Sequence, residues 1–291
     1  MVALMVAGIA GAGPDPCSGA GTASILCTGD QNLGIVLGAG GVDTSKATTV
    51  RIQDLSRAII ASASGIRWTL GSEALVRHLH VDGGMVSGGE GGVVLLSNSQ
   101  PGGTDYVVAS INVDVYALAG SSGAVGVQFS GKHGANGSGD GNRGSAGAPA
   151  RGEVLVFGSA DGAPRKLTAG GDLNPGIKIT HTGGDGGSGS SGSLHAGGTG
   201  GGGGSAGESQ LQIASQLSIE TRGSQSAGID IDHGGGTGGG GSAGGGGDGG
   251  YVTIASASPT GTPVVIRTLG ADSSDSPGIR VVLRGSDGGK G

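Results

Sequence analysis

Residues 217–239 read LSIETRGSQSAGIDIDHGGGTGG: an alternating strand, a polar turn, a Gly-Ile pair, a second alternating strand and a run of glycine. The same order returns upstream in RKLTAGGDLNPGIKITHTGGDGG from Arg165 and downstream in VIRTLGADSSDSPGIRVVLRGSDGG from Val265. A Gly-Val version lies in VYALAGSSGAVGVQFSGKHGANG from Val115. Counted on the pair, the copies fall at Gly126-Val127, Gly176-Ile177, Gly228-Ile229 and Gly278-Ile279, in steps of 50, 52 and 50 residues. A fixed period of that size marks a stacked repeat architecture. ILCTGDQNLGIVLGAGG, from Ile25, is an earlier copy, and ASASGIRWTL around Gly65 is a weaker one.

Each copy carries only a few aliphatic residues, too few to form a core alone. Equivalent strands stacked about 4.7 to 4.9 Å apart would instead make a continuous apolar column and pair their backbones. The expected fold is therefore all-β, a right-handed parallel β-helix. Val127, Ile177, Ile229 and Ile279 would form one interior ladder, with Gly126, Gly176, Gly228 and Gly278 at the corners. A β-sandwich is disfavoured, because its strands do not normally recur in register at this spacing. Period-two alternation also marks Val50 with Ile52, and Ile111 with Val113 and Val115. SRAIIASAS, from Ser56, reads as a short helix or as a strand. Asn174-Pro175-Gly176 and Ser276-Pro277-Gly278 read as turns.

Composition narrows the class further. Gly supplies 72 of 291 residues, against a usual share of about 7%. Aromatic residues are 2% and Trp68 is the only tryptophan, which excludes a row of sugar-stacking rings. Net charge is -6, with no basic patch interleaved with aromatics, so nucleic acid is not an expected partner.

The glycine-rich runs cover roughly residues 131 to 149, 183 to 207 and 234 to 250, and another starts at Gly285. A β-helix turn does not need them, so they read as excursions from the coil. Gly recurs every third residue at Gly183, Gly186, Gly189 and Gly192, then at Gly198, Gly201, Gly204 and Gly207, with His195 the exception between the two sets. It does so again from Gly235 through Gly250. Period three suits closely packed left-handed threefold helices, polyglycine II, where only Gly lets backbones approach. Flexible solvated loops are the alternative.

The opening MVALMVAGIAGAG is apolar, too short to span a bilayer as a helix, and contains the small-x-small triplet Ala10-Gly11-Ala12. It reads as an export signal over residues 1–12 or as a buried first strand. Residues 13–65 read as an N-terminal cap with the first rungs, and residues 66–291 as β-helical repeats with glycine-rich insertions. The only cysteines, Cys17 and Cys27, are ten positions apart and flank a turn-forming stretch. They read as a disulfide, compatible with export, or as two free thiols.

The strand, polar turn, S-x-G-I, short strand and glycine run of IETRGSQSAGIDIDHGGGTGGGG, from Ile219, resemble the glycine-rich passenger regions of Gram-negative autotransporter outer-membrane proteins. IRTLGADSSDSPGIRVVLRGSDGG, from Ile266, carries the same likeness. The resemblance covers most of the chain from Ile25 onward. It implies a β-helical stalk on the cell surface or in the extracellular space, serving adhesion, autoaggregation or coating. Its partners would be host or neighbouring-cell surface molecules, and a C-terminal membrane barrel is expected outside this chain, which would make the chain a fragment. The chain departs from the family pattern where His181 and His233 stand in place of the usual Ser.

Residue chemistry adds little to that expectation. His181 and His233 recur at one repeat position with Asp230 and Asp232 nearby; two histidines are too few for a metal site, and they read as exposed turn residues. GSGDGN from Gly137 and GGGGDGG from Gly244 miss the calcium-binding nonapeptide spacing. Lys290, in GGKG, lacks the rest of a phosphate loop. Asp105, Asp114 and Glu153 fall in no catalytic motif. No catalytic residue, metal ligand, cofactor or membrane span is expected. A non-enzymatic stalk or adhesin is the leading expectation, ahead of a secreted β-helical polysaccharide-degrading enzyme and a glycine-rich structural or ice-binding protein.

Overall fold

A computed structural model describes residues 14–71, 76–99, 106–138, 142–158, 163–190, 199–241, 244–256, 264–269 and 276–288. The expected export signal at 1–12, and Asp105, His195 and Lys290, lie outside the described residues. Strands are numbered in chain order. One sheet runs β1 (Ser24–Gly29), β3 (Thr49–Leu55), β6 (Arg77–Gly88), β8 (Tyr106–Ala117), β10 (Gly152–Phe157), β13 (Glu208–Ile213) and β16 (Tyr251–Ser256). The short strand β4 (Ile59–Ala61) joins it beside β6, and β11 (Arg165–Ala169), β14 (Leu217–Thr221) and β17 (Val264–Thr268) form a second row beyond β8. The other sheet runs β2 (Ile35–Leu37), β5 (Ser64–Leu70), β7 (Gly91–Ser99), β9 (Val125–Gly131), β12 (Ile177–Thr182), β15 (Ile229–Gly234) and β18 (Ile279–Arg284).

Every pairing between these strands is parallel, and the chain passes from the first sheet to the second and back in each repeat. The fold is all-β, with the connectivity of a parallel β-helix. The segment from Ser56 is strand β4 rather than helix. In the middle of the coil, β8 is one long strand: its first half pairs with β10 and its last residues with β11. The expected division at residue 65 falls inside β5.

A single apolar cluster lies between the sheets. Its ladder runs Ile35, Ile66, Val93, Val125, Ile177, Ile229 and Ile279, each in register with the next. A second column, two residues along, contains Leu37, Trp68, Leu95, Val127, Ile179, Ile231 and Val281. Val127 therefore sits one column over from its expected place, opposite Ile179, and Val125 faces Ile177. The corner residue of that rung is Ala124, not Gly126. Gly126 meets a different demand: a β-carbon there would overlap the carbonyl oxygen of Ser122 in the turn above it.

Gly176, Gly228 and Gly278 do stack, with Ile177 N donating to Gly228 O and Ile229 N donating to Gly278 O. A β-carbon on Gly228 would overlap Ile266 Cγ2. Ile177 and Ile229 are fully buried, whereas Ile279, on β18 at the end of its sheet, is 50% exposed. At the opposite end of the coil, β1 of the first sheet is bordered by a short antiparallel bridge from Ser18 to Leu26 and tied by a Cys17–Cys27 disulfide.

Candidate functional site

The glycine-rich excursions leave the coil after β9, β12 and β15 and return before β10, β13 and β16. Each has a departing and a returning arm, and their described residues are neither helix nor strand. Departing arms bond to one another in steps of three: Gly183, Gly186 and Gly189 N–H groups donate to Gly234, Thr237 and Gly240 carbonyls. Gly134 and Gly137 donate to Asp185 and Ser188 in the same manner. Returning arms do likewise, Gly144, Gly147 and Ala150 donating to Thr199, Gly202 and Ser205. The two sets also cross-link, because Gly184, Gly187 and Ser190 donate to Ala148, Ser145 and Asn142. Threefold spacing, with every bond made to another segment, is polyglycine II packing.

The packing rule is stricter than one glycine in three. Along the departing arm, β-carbons on Gly183 and Gly184 would overlap the carbonyls of Gly204 and Lys132, and those on Gly186 and Gly187 would overlap Gly201 and Ala135. The third residue of each triplet, Asp185 and then Ser188, faces outward. Over these two triplets two lanes are glycine and one is free, which explains the phrase GGDGGS; Ser190 enters the second lane only beyond them. The first excursion carries Lys132, Ala135, Ser145 and Ala148 in lanes where later arms have Gly, and among the described residues no earlier arm lies against it.

Outward side chains lace consecutive arms together. Asp185 N donates to His133 Nδ1, and Thr237 N and Oγ1 both donate to Asp185 Oδ1 at 2.7 Å. The Thr237 hydroxyl, against the opposing cost of burial and with help from Thr237 N and the nearby His133, holds the Asp185 carboxyl below the usual carboxylate range.

Directly beneath the arms lies a polar pocket in the core. Phe129, His181, His233 and Leu283 are in register on β9, β12, β15 and β18. His181 and His233 are fully buried. The expectation that they are exposed turn residues is thus corrected: four residues past Ile177 and Ile229, they share the inward parity of those isoleucines. Their rings stack with centroids 4.4 Å apart and planes 8° from parallel, and Phe129 stacks on His181 at 5.3 Å. His181 Nε2 lies 2.6 Å from Glu153 Oε2, a close contact without hydrogen-bond alignment. His233 Nε2 is 2.9 Å from Ser209 Oγ, and neither Nδ1 has a hydrogen-bond partner. Burial, reinforced by His181 and opposed by Asp232, lowers His233 to about 4. Arg151, also buried, donates to the Gly71 carbonyl.

Glu153, which belongs to no motif, is thus part of this pocket, whereas Asp114 accepts a bond from Lys166 N on the outer face. Among the described residues, no group of three or more His, Cys, Asp or Glu converges on a metal position, and no helix is long and apolar enough to cross a membrane. No protein-family model, curated protein or solved structure matches this chain.

Proposed function

We propose that the chain is a non-enzymatic β-helical stalk or adhesin of the cell surface or extracellular space, working through its extended surface. The observation that carries this reading is the side-by-side packing of three excursions as polyglycine II arms bonded to their neighbours. Such arms stiffen the coil along its length and present rows of small polar groups at fixed spacing. The disulfide suits an oxidising compartment. The buried acid–histidine pair, Glu153 with His181, is sealed from any polysaccharide and so lends no support to a lyase or glycosidase reading.

The test is adhesion by the full chain. Beads coated with it are expected to clump with one another or to bind cells more than beads coated with an unrelated protein of equal charge. No gain in either assay would overturn the proposal. Turnover of polysaccharide by the purified chain, or thermal hysteresis of its solutions, would favour the enzymatic or the ice-binding alternative instead.

A further inference from the structure

The polar pocket sits where the arms join the coil. Glu153 is two residues past the last arm residue of the first excursion, and it meets His181, two residues before the second excursion departs. Ser209 follows the return of the second excursion and meets His233, at the departure of the third. The stack of His181 on His233 closes the circuit, so these four side chains connect the feet of all three excursions. We propose that the stacked His181–His233 pair is an acid-sensitive latch, holding the feet of the polyglycine arms together and loosening them when His233 takes up a proton.

The surroundings leave added charge poorly accommodated. Phe129 from β9 and Leu283 from β18 lie in register above and below the pair, and Val107 from β8 and Val252 from β16 flank Glu153 and Ser209. Glu153 is the carboxylate in contact with the stack; the next, Asp232, points outward and is paired with Arg284. Arg77 and Arg151 are buried cations in the same interior. A proton on His233 would place a charge against the His181 ring in an interior where, among the described residues, Glu153 is the carboxylate touching the stack. The low proton affinity of His233 follows from the same geometry. Relief comes by parting β12 and β15 from β10 and β13, which frees the arms rooted on them. This mechanism holds whether or not the chain is an adhesin.

The test is amide exchange of the full chain, read by mass spectrometry over residues 183–190 and 234–240 and corrected for intrinsic rates. Wild type is expected to lose roughly tenfold or more of its protection between about pH 7.5 and about pH 4, while the first rungs near Ile52 keep theirs. The double variant H181F/H233F, which continues the column begun by Phe129, is expected to stay protected at both. Equal wild-type protection at the two pH values, or the same loss in the double variant, would overturn the latch. Should the double variant not fold, His ring titration of wild type by NMR decides. Arm protection falling along the ring titration sustains the proposal, and arms unchanged through it defeat the proposal.

Discussion

Gly201 and Ser145, in the returning arms of consecutive excursions, touch backbone to backbone: a β-carbon on Gly201 would overlap the Ser145 carbonyl oxygen. One residue on, Gly202 has room for a β-carbon, which would meet Gly245 O at an ordinary contact distance of 3.7 Å. Gly201→Ala is therefore expected to force adjacent arms apart at a cost of about 1 to 3 kcal/mol. Gly202→Ala is expected to be neutral or stabilising by up to about 1 kcal/mol, through the unfolded chain. Thermal unfolding of the two variants side by side checks this, and equal effects would contradict lane-specific packing.

The interior ladder gives a second contrast. Ile229→Asp would place an unpaired charge in a dry column and cost several kcal/mol, of order 4. Ile279→Asp, in the same ladder but half-exposed on the last strand, is expected to cost well under half as much. Urea midpoints of the two variants separate the cases.

Acid should weaken the fold in a defined window. His233 titrates at about 4 in the folded chain, below its ordinary value of 6.5. Between those values the unfolded chain binds more protons, so stability rises with pH. This contribution is fully present above about pH 6.5 and is lost as pH falls, amounting to about 3 kcal/mol by about pH 4. Unfolding free energies across this range should show the slope, and H233F should flatten it.

Reducing the Cys17–Cys27 bond reopens a loop of ten-residue separation. Chain entropy puts the loss at about 3 kcal/mol. It is expected to appear first as faster amide exchange at Ile25 and Cys27 of β1, with the arms unaffected. Exchange with and without reductant, in the same chain, measures it.

Most of the coil was readable because its strands alternate with period two and its corners favour glycine. Two errors have physical causes. A slip of two residues preserves which side chains point inward, so Gly126-Val127 matched the repeat as well as the true Ala124-Val125 did. Gly92-Val93 stands in a rung with no excursion, 27 residues after Ile66 and 32 before Val125, and so fell outside the 50-residue period. The polar pocket was hidden by residue type: parity placed His181 and His233 inward, but histidine in a glycine-rich sequence reads as surface. Glu153 gave no local signal, since its partner comes from another strand of the same rung. The arms revealed their period of three, and the second glycine lane was visible in GGDGGS once the packing was known.

The lanes also bear on how such a chain can change in length. Within an arm, adding or removing one or two residues would turn outward side chains such as Asp185 into the glycine lanes, so viable changes there come in threes. At the far end of the hairpin no such frame applies. Lys132 lies opposite Ala148, Gly184 opposite Gly204 and Gly236 opposite Gly247, separations of 16, 20 and 11 residues whose differences share no common factor. Insertions and deletions should therefore accumulate at the tips in any number, along the arms only in triplets, and in the strands hardly at all.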